Sequence, residues 1–315
     1  MSRNKIRNIL VTGGAGFVGR HTAGALLKKG FRVCLLDNFS NSSRAALKPY
    51  AAAIKLVEGD IRHVQDVRKA LAGIDAVFHF AALRSVVKSV EDPFLSHEVN
   101  ATGTLLLLEE ANKAGVRHFI FTSTSAVYGA AISRVQKETG ALRPISPYGM
   151  AKLLAEHYVR YYFEEKGMPA TSVRIFNVYG PRQNPESQYS LVVPGILSKI
   201  LKGRRPVIDG TGEQARDFIY IGDIVEAFFK ILGNKKSSGQ VYNLGSGTAA
   251  SVNTLVKTLL GLTASGLKPI HGPRRPGDPD RTCADISKIK RELGWRPKVS
   301  LKEGLKKTIR EFDDL

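Results

Sequence analysis

Residue types that build disulfide scaffolds and metal clusters are scarce in this sequence. Among 315 residues there are only two cysteines, Cys34 and Cys283, and they lie far apart along the chain. Two such cysteines cannot form a disulfide framework, and we expect both to be reduced thiols. The seven histidines are scattered and never fall at the spacing of zinc ligands. We therefore predict a protein without a metal site.

Long apolar runs and acidic side chains are also scarce. No apolar stretch approaches the length of a membrane span, and the basic N-terminus leads into a short strand rather than a signal-peptide core. We therefore expect a cytoplasmic protein with no membrane partner. The chain has 28 acidic and 47 basic residues, which gives a formal net charge of +19. Because the basic residues are spread along the chain and form no nucleic-acid-binding module, a ligand with a diphosphate is favoured over DNA or RNA.

A glycine-rich turn, Thr-Gly-Gly-Ala-Gly-Phe-Val-Gly at 12–19, lies between a short apolar strand and a helix. Gly13, Gly16 and Gly19 permit a tight turn, a close backbone approach to a pyrophosphate and close packing of the helix. The helix N-terminus then faces the phosphate charge. Asp37 ends the next strand, about twenty residues further on, where an acid accepts hydrogen bonds from ribose hydroxyls and repels a 2′-phosphate. The pattern predicts NAD rather than NADP.

Strands and helices continue to alternate as far as Asn177, with one strand predicted at 76–82. This alternation predicts an α/β fold, a Rossmann-type doubly wound parallel sheet with a smaller C-terminal α/β substrate-binding domain. We assign residues 1–180 to the NAD-binding domain, with 222–245 returning to it, and residues 181–221 and 246–315 to the substrate-binding domain. Ligand chemistry is expected at the carboxyl ends of the parallel strands. Near the C-terminus, Ser300 with Glu303 predicts a capping box that opens the last helix.

The segment from Ser146 to Lys152 has the features of a helix start. Ser146 can serve as N-cap, and Pro147 then occupies the first helical position. Tyr148 and Lys152 are four residues apart, so they share one helix face. An ammonium group and a helix N-terminus both favour a phenolate, which would let Tyr148 act as a base near neutral pH. Taken alone, such a pair is more often a solvated surface pair, and its meaning depends on the motifs around it.

Taken together, the motifs resemble the extended short-chain dehydrogenase/reductase family, in particular its UDP-sugar 4-epimerase branch. The resemblance extends over essentially the whole chain, and its motifs fall in the family's order. The matching segments are 12–19, 79–82, 122–129, 148–152 and 216–220.

The resemblance implies a role for each matching residue. The side chains implied to act in catalysis are those of Thr124, Tyr148 and Lys152. The residues implied to bind the cofactor are Gly13, Gly16, Phe17, Val18, Gly19, Asp37, Asn38, Asp60, Ile61, Phe80, Ala81, Ala82, Asn100, Ser123, Tyr148 and Lys152. The residues implied to bind the UDP-sugar are Arg84, Thr124, Asn177, Val192, Arg216, Arg275, Asp278 and Thr282.

The reaction implied is NAD-dependent 4-epimerisation of a UDP-hexose, UDP-galactose or UDP-glucose. Tyr148 would remove the proton of the sugar C4 hydroxyl while hydride leaves C4 for NAD, and hydride would return to the other face of the rotated 4-keto sugar. In this family, dehydratases need an Asp-Glu pair and decarboxylases a Glu just before the Val-Tyr-Gly motif. Here Ser125 and Ala126 occupy those positions. We rank dehydration, decarboxylation, net release of NADH and non-catalytic NAD binding below epimerisation.

The sugar itself stays open at this stage. Thr282 is small at a position where the epimerase branch uses a bulky Tyr to reject N-acetylated sugars, so UDP-N-acetylglucosamine is an alternative substrate. Arg84 stands where some epimerases have Lys, and an Arg near the sugar would suit the carboxylate of UDP-glucuronate. The resemblance also implies a homodimer through a four-helix bundle formed by helices at 93–114 and 147–166. Apolar surface for it is expected from Leu105 to Leu108 and from Tyr158, Tyr161 and Tyr162.

Overall fold

The structure, a computed structural model, describes residues 6–129, 133–184, 192–274 and 279–312. The chain divides into two compact units. The first contains Met1–Val127, Pro144–Arg174 and Phe228–Tyr242, and the second contains Tyr128–Arg143, Ile175–Ala227 and Asn243–Leu315. The domain boundaries drawn from the sequence stay a prediction. None of the described helices is long and apolar enough to cross a membrane.

The strands are numbered in chain order within the described residues. They are β1 Asn8–Thr12, β2 Arg32–Asp37, β3 Ile54–Glu58, β4 Ala76–His79, β5 His118–Thr124, β6 Ala170–Ile175, β7 Asn177–Tyr179, β8 Val207–Asp209, β9 Ala215–Tyr220, β10 Val241–Leu244, β11 Ala249–Ser251, β12 Ile270–Gly272 and β13 Arg281–Thr282.

The helices are numbered in the same way. They are α1 Phe17–Lys28, α2 Val64–Leu71, α3 Val86–Glu91, α4 Pro93–His97, α5 Gly103–Lys113, α6 Pro147–Glu164, α7 Val192–Leu201, α8 Ile221–Ile231, α9 Val252–Leu262, α10 Ser287–Leu293 and α11 Leu301–Arg310. Short 3₁₀ segments lie at Arg44–Ala53, Ser125–Tyr128 and Lys235–Ser237, and a π-helical turn lies at Glu98–Thr102.

Seven strands form one sheet in the order β10-β6-β5-β4-β1-β2-β3. The pairs β1–β2, β1–β4, β2–β3 and β4–β5 are all parallel. Strand β4 is buried over its whole length and β1 is buried after Asn8, which fits strands covered by helices on both faces and explains their continuous apolar sequences. The predicted fold class, a Rossmann-type doubly wound parallel sheet, is confirmed.

The second unit contains a smaller sheet centred on β9. β9 pairs with β7 and β13 in parallel and with β11 in antiparallel orientation. Its hydrophobic core is formed by α7, α9 and α11, which bury Leu197, Leu255 and Leu305 against one another. The capping box expected at the start of α11 is present, with Ser300 and Glu303 each bonded to the other's backbone.

Two elements differ from the sequence prediction. The strand expected at 76–82 ends at His79, because its pairing with β5 stops at the His79–Phe121 pair. The long helix expected from Pro93 to Ala114 is interrupted by the π-helical turn at Glu98–Thr102. In this turn Asn100 is fully buried, and its amide bonds to the backbone of Leu83, so a long-range contact sets the local irregularity.

The apolar surface expected for dimerisation must also be corrected. Leu107, Leu108 and Tyr162 belong to the core of the first unit and are not available to a partner. Leu105, Leu106 and Tyr158 are partly buried against the same core, whereas Tyr161 is 44% exposed and remains available to a partner. Large apolar side chains are exposed instead on α3, α4 and α6, and they include Val90, 63% exposed, and Phe94, 83% exposed.

Candidate active site

The glycine loop between β1 and α1 is shaped so that only glycine fits at two positions. Gly13 has φ +64°, and a Cβ atom there would lie 2.7 Å from the backbone nitrogen of Ala81. A Cβ at Gly19 would collide with the carbonyl oxygen of Gly13. Gly16 is the N-cap residue of α1, and no side chain caps this helix. The first backbone N–H groups of α1 are therefore left for an anionic ligand.

Asp37, at the end of β2, fastens this loop to the neighbouring strand. Its carboxylate accepts hydrogen bonds from the backbone nitrogens of Ala15, at 2.9 Å, and Phe39, at 2.8 Å, and from Ser42 Oγ, at 2.9 Å. A carboxylate offers about four acceptor positions. The Asp37 carboxylate can therefore accept one hydrogen bond from a ribose hydroxyl without any rearrangement. To accept a second one, it would have to lose the hydrogen bond from Ser42 Oγ.

Asp60, one of the residues implied to bind the cofactor, lies after β3. Arg62 binds it in a bidentate pair, with Nη2 2.8 Å from Oδ2 and Nε 3.0 Å from Oδ1, and Asn38 donates a further bond of 2.9 Å. Burial alone would raise the pKa of Asp60, but these bonds lower it to about 2. The side chain of Ile61 is buried beside this pair.

A hydrogen-bond chain beneath the loop fixes the backbone that Gly13 touches. Ala81 N donates to Thr12 Oγ1, at 3.2 Å, and Thr12 lies 2.7 Å from His79 Nδ1. His79 Nε2 is 2.9 Å from Thr104 Oγ1, which itself donates to Asn100 O. Because the Thr104 hydroxyl donates its proton to Asn100 O, it can only accept from His79 Nε2. His79 Nδ1 is then unprotonated and accepts the hydrogen bond from Thr12. Burial and the charge of Lys152 hold the pKa of His79 well below its usual range, which agrees with this neutral form.

The three residues implied to act in catalysis lie close together in the first unit. Tyr148 is in the first turn of α6, which Ser146 caps through a 3.2 Å bond from Gly149 N, as the sequence predicts. Burial raises the pKa of Tyr148, whereas a hydrogen bond with Thr124 and the charge of Arg84 act to lower it. Thr124 ends β5, and its Oγ1 also accepts from Ala126 N, at 3.1 Å.

Lys152 is placed differently from the sequence expectation. Its ammonium group lies 4.1 Å from the centroid of the Phe121 ring, and the cation that acts on the Tyr148 phenol is Arg84. Lys152 is only 2% exposed, and burial lowers its pKa to about 7 although the charge of Glu156 raises it. Glu156 in turn forms a buried ion pair with Arg174 on β6, Nη2 to Oε2 2.7 Å.

Several polar atoms in this region have no protein partner. Ser123 Oγ and Thr122 Oγ1 are buried without a hydrogen bond, and across the described ranges Lys152 makes none either. Buried polar groups are nearly always bonded. Ser123 shares a face of β5 with Phe121, over which Lys152 lies, whereas Thr122 lies on the opposite face. Ser123 Oγ and Lys152 Nζ therefore fit a polar ligand. Together with the glycine cradle and Asp37, they match the donors and acceptors that a dinucleotide requires. The first unit thus brings together all the residues implied to bind NAD.

The remaining implied substrate residues lie in the second unit. Asn177 begins β7 and pairs with Phe218, and Thr282 on β13 pairs with Arg216, so three of these residues meet on β9 and its neighbours. Thr282 Oγ1 is buried without a partner. Val192 begins α7 and is partly exposed. Two further implied residues, Arg275 and Asp278, lie outside the described residues.

Sequence reasoning assigned no role to several residues that shape this site. His79 belongs to the motif at 79–82 but has no role implied by it, although its position at the end of a buried strand could mark it. Glu156 stands one helical turn after Lys152, but nothing local indicates that Arg174 is its partner. These three side chains act through packed neighbours, which a local pattern cannot display.

Comparison with known proteins places the chain among nucleotide-sugar enzymes. A sequence profile of the family described as GDP-mannose 4,6 dehydratase matches residues 10–308. The dTDP-D-glucose 4,6-dehydratase of Mus musculus is 35% identical over 319 residues, which cover 96% of this chain and 88% of that protein. Both names are those of dehydratases.

Solved structures add epimerases at similar identity. UDP-glucose 4-epimerase from Thermotoga maritima, with UDP-glucose, has a TM-score of 0.93 and 38% identity, covering 98% of this chain and 99% of that chain. The Thermus thermophilus UDP-glucose 4-epimerase complex with NAD has a TM-score of 0.89 and 34% identity, covering 97% and 99%. NAD, the cofactor predicted from the sequence, is thereby confirmed for the family. The chain belongs to the GDP-mannose 4,6 dehydratase-like family of NAD-dependent nucleotide-sugar epimerases and dehydratases, within the short-chain dehydrogenases/reductases.

Proposed function

We propose that this protein is an isomerase that inverts C4 of a UDP-hexose, interconverting UDP-glucose and UDP-galactose with NAD as its cofactor. One observation supports epimerisation over dehydration. The turn after β5 carries Ser125 and Ala126 where family dehydratases have a carboxylate pair. Neither side chain can take a proton from C5 or give one to a leaving C6 oxygen, so the chemistry is limited to C4.

Within this proposal Tyr148 is the only proton carrier that the reaction needs. Its phenolate accepts the proton of the C4 hydroxyl and later returns it to the 4-keto oxygen, so protons balance over one turnover. The hydroxyl of Thr124, bonded to that of Tyr148, orients the substrate oxygen. Because burial raises the pKa of Tyr148, the charge of Arg84 is needed to stabilise the phenolate.

When bound, NAD supplies a hydride acceptor and donor. The chain's own part is to hold it. Lys152 Nζ and Ser123 Oγ offer the donors described above, and the loop at Gly13 offers the close backbone approach. Arg216, with its guanidinium, is the residue of the second unit best suited to a diphosphate.

The experiment is a panel of UDP-sugars incubated with the purified protein, with products identified by chromatography. Interconversion of UDP-glucose and UDP-galactose without net NADH is expected. A Tyr148→Phe variant should lose at least about a thousandfold in kcat, because its only proton carrier is gone. Tyr161→Phe, an exposed tyrosine on the same helix, is the matched control and should be unaffected. A 4-keto-6-deoxy product, growth of NADH absorbance, or full activity of Tyr148→Phe would each contradict the proposal.

A second candidate substrate is favoured by Arg84. Its guanidinium makes no hydrogen bond or ion pair with any carboxylate among the described residues, and its charge acts on Tyr148. A cation placed beside the reacting hydroxyl would suit a sugar carboxylate. UDP-glucuronate therefore belongs in the panel, and a kcat/KM for it above that for UDP-glucose would make the uronate the preferred substrate.

We also propose that the protein is a homodimer. Exposed apolar side chains lie on three helices that pack together, α3, α4 and α6: Val86, Val87, Val90, Phe94 and Met150. A contiguous patch of this kind is typical of a protein interface. Light scattering should give twice the chain mass of 34.4 kDa. Phe94→Glu should give the monomer mass, whereas Ile270→Glu, at an exposed apolar site on β12, should stay dimeric. A monomeric wild type would refute the dimer.

A further inference from the structure

One carboxylate in the second unit is buried completely yet belongs to no ion pair described above. Asp217, on β9, is 0% exposed. Its Oδ1 accepts from Ser246 N, at 2.6 Å, and Ser246 Oγ, at 2.7 Å, and its Oδ2 accepts from Gly247 N and Ala284 N, both at 3.0 Å. Three of these donors are backbone N–H groups, which stabilise the ionised carboxylate, whereas burial raises the pKa of Asp217. The family motif at 216–220 contains Asp217, but the proposed function gives it no role.

The donors come from two segments that flank β9. One is the loop after β10, which carries Ser246 and Gly247, and the other follows β13, which carries Ala284. The loop closes tightly on the carboxylate, because a Cβ at Gly245 would lie 2.7 Å from Asp217 Oδ2. Gly247 adopts φ +76°, which other residues rarely do. The loop sequence is thus fitted to Asp217.

The residues proposed to hold the UDP part lie next to Asp217 on β9 and on the two strands beside it. Arg216 precedes Asp217, and Thr282 pairs with Arg216 in the register of β13 and β9. Ala284, two residues beyond Thr282, donates directly to the Asp217 carboxylate. On the other neighbour, Asn177 Nδ2 donates to the carbonyl oxygen of Asp217 at 3.3 Å. One buried residue therefore joins the three strands that carry these side chains.

We propose that Asp217 is a positioning residue for the UDP part of the substrate, fixing where Arg216, Asn177 and Thr282 present their side chains. This inference rests on the proposed function, because it takes these three residues as the UDP-binding set. Asp217 itself stays buried and does not touch the ligand. Its effect is on substrate affinity rather than on the chemical step.

Asp217→Asn is the sharpest perturbation. The amide keeps the shape of the side chain, but its NH₂ group must face the backbone donors of Gly247 and Ala284 or those of Ser246. If the NH₂ group faces Gly247 and Ala284, both of their N–H groups lack an acceptor, and if it faces Ser246, the Ser246 N–H does. In either orientation β13 or the loop shifts relative to β9. A matched control is Asp223→Asn. Asp223 is also buried in this unit and accepts from the backbone nitrogens of Lys298 and Val299, each at 3.1 Å, but it touches none of the proposed UDP-binding residues in any bond described here.

The measurements separate positioning from general stability. We expect Asp217→Asn to raise KM for UDP-glucose about tenfold with kcat changed less than threefold, the signature of lost ground-state binding. We expect Asp223→Asn to lower the melting temperature but to leave KM within about twofold. If Asp217→Asn does not yield folded protein, Ser246→Ala removes a single donor and should raise KM about threefold. Unchanged KM in a folded Asp217→Asn variant, or in Ser246→Ala where that variant is used, would overturn the inference.

Calorimetric binding of UDP alone distinguishes this inference from the proposed function. If the wild type binds UDP and Asp217→Asn binds it about tenfold more weakly, the inference stands whatever reaction the enzyme catalyses. If both proteins bind UDP equally, the inference fails and the proposed function survives. If the wild type binds no UDP, the proposed function fails and the inference falls with it.

Discussion

The helix that carries Tyr148 and Lys152 is fastened to the sheet by a buried ion pair, and breaking this pair tests how the site is held. Glu156 lies on α6 one turn after Lys152, and Arg174 lies near the end of β6. Arg174 Nη2 is 2.7 Å from Glu156 Oε2, and Arg174 Nε is 3.0 Å from Oε1. Both side chains are buried, so water cannot solvate either charge if the partner is removed.

Arg174→Met removes the guanidinium but leaves the carboxylate buried. Breaking one side of a buried pair costs about 3–5 kcal/mol. With an unfolding entropy of about 2.1 cal/mol/K per residue, a chain of this length loses roughly 1.5 °C per kcal/mol, so the melting temperature should fall by about 5–8 °C. In the double variant Glu156→Leu with Arg174→Met no unpaired charge remains, and the loss should be no more than about 2 °C.

The same pair should affect chemistry through Lys152. The charge of Glu156 opposes the burial that lowers the pKa of Lys152 to about 7, so the double variant should lose the Lys152 proton at lower pH. On the alkaline side of the pH profile, the activity of the double variant should therefore begin to fall at a lower pH than the activity of the wild type. Differential scanning calorimetry and a pH profile of kcat/KM measure the two effects. A double variant whose loss equals the sum of the single losses would refute the buried-charge argument, and an unshifted alkaline limb would refute the coupling to Lys152.

Three further predictions concern the cofactor loop, acid stability and sugar choice. Gly13→Ala should abolish co-purification of NAD, because its Cβ meets the backbone of Ala81. Gly30→Ala, at φ +80° with nothing within 4 Å, should cost about 1–2 kcal/mol of stability and keep NAD. For His118, burial lowers the pKa to about 4, so the unfolded chain binds more protons between about pH 6.5 and 4, and about 3 kcal/mol of stability is lost as pH falls through this window. In urea denaturation at several pH values, the free energy of unfolding of His118→Gln should depend less on pH between about 6.5 and 4. An unchanged dependence would contradict the attribution of this loss to His118. Thr282→Tyr should remove turnover of UDP-N-acetylglucosamine, if the wild type shows it, while that of UDP-glucose persists, and equal loss of both would contradict a steric role.

The parts of the fold that the sequence predicts correctly are those set by local chemistry. The buried strands β1 and β2 are short apolar runs that end at turn-forming or acidic residues. The start of α6 follows from Ser146 and Pro147, and that of α11 from the capping box at Ser300. Each of these signals acts within a few residues of its effect, which is why it can be read without the tertiary structure.

The parts that could not be predicted depend on contacts between distant residues. The π-helical turn at Glu98–Thr102 exists because Asn100 bonds to Leu83, 17 residues away. The sequence predicts Leu107 and Leu108 at a dimer surface, but they lie in the core, because an apolar run has the same sequence whether it packs on the protein's own sheet or on a partner. Ala284 meets Asp217 across 67 residues, and no local pattern marks either as a partner of the other.

The cation beside Tyr148 shows the same limit at the level of a single side chain. Helical periodicity places Tyr148 and Lys152 on one face, so the sequence points to Lys152 as the charge that stabilises the phenolate. However, a lysine side chain is long, and here it lies over the ring of Phe121 inside the protein. Arg84 supplies the charge on Tyr148 instead. Spacing along a helix therefore predicts which side chains leave the helix from the same face. The packing around the charged ends of those side chains decides which charged groups come into contact. Lys152 makes no hydrogen bond among the described residues, and buried Ser123, two residues after Phe121 on β5, also lacks a partner.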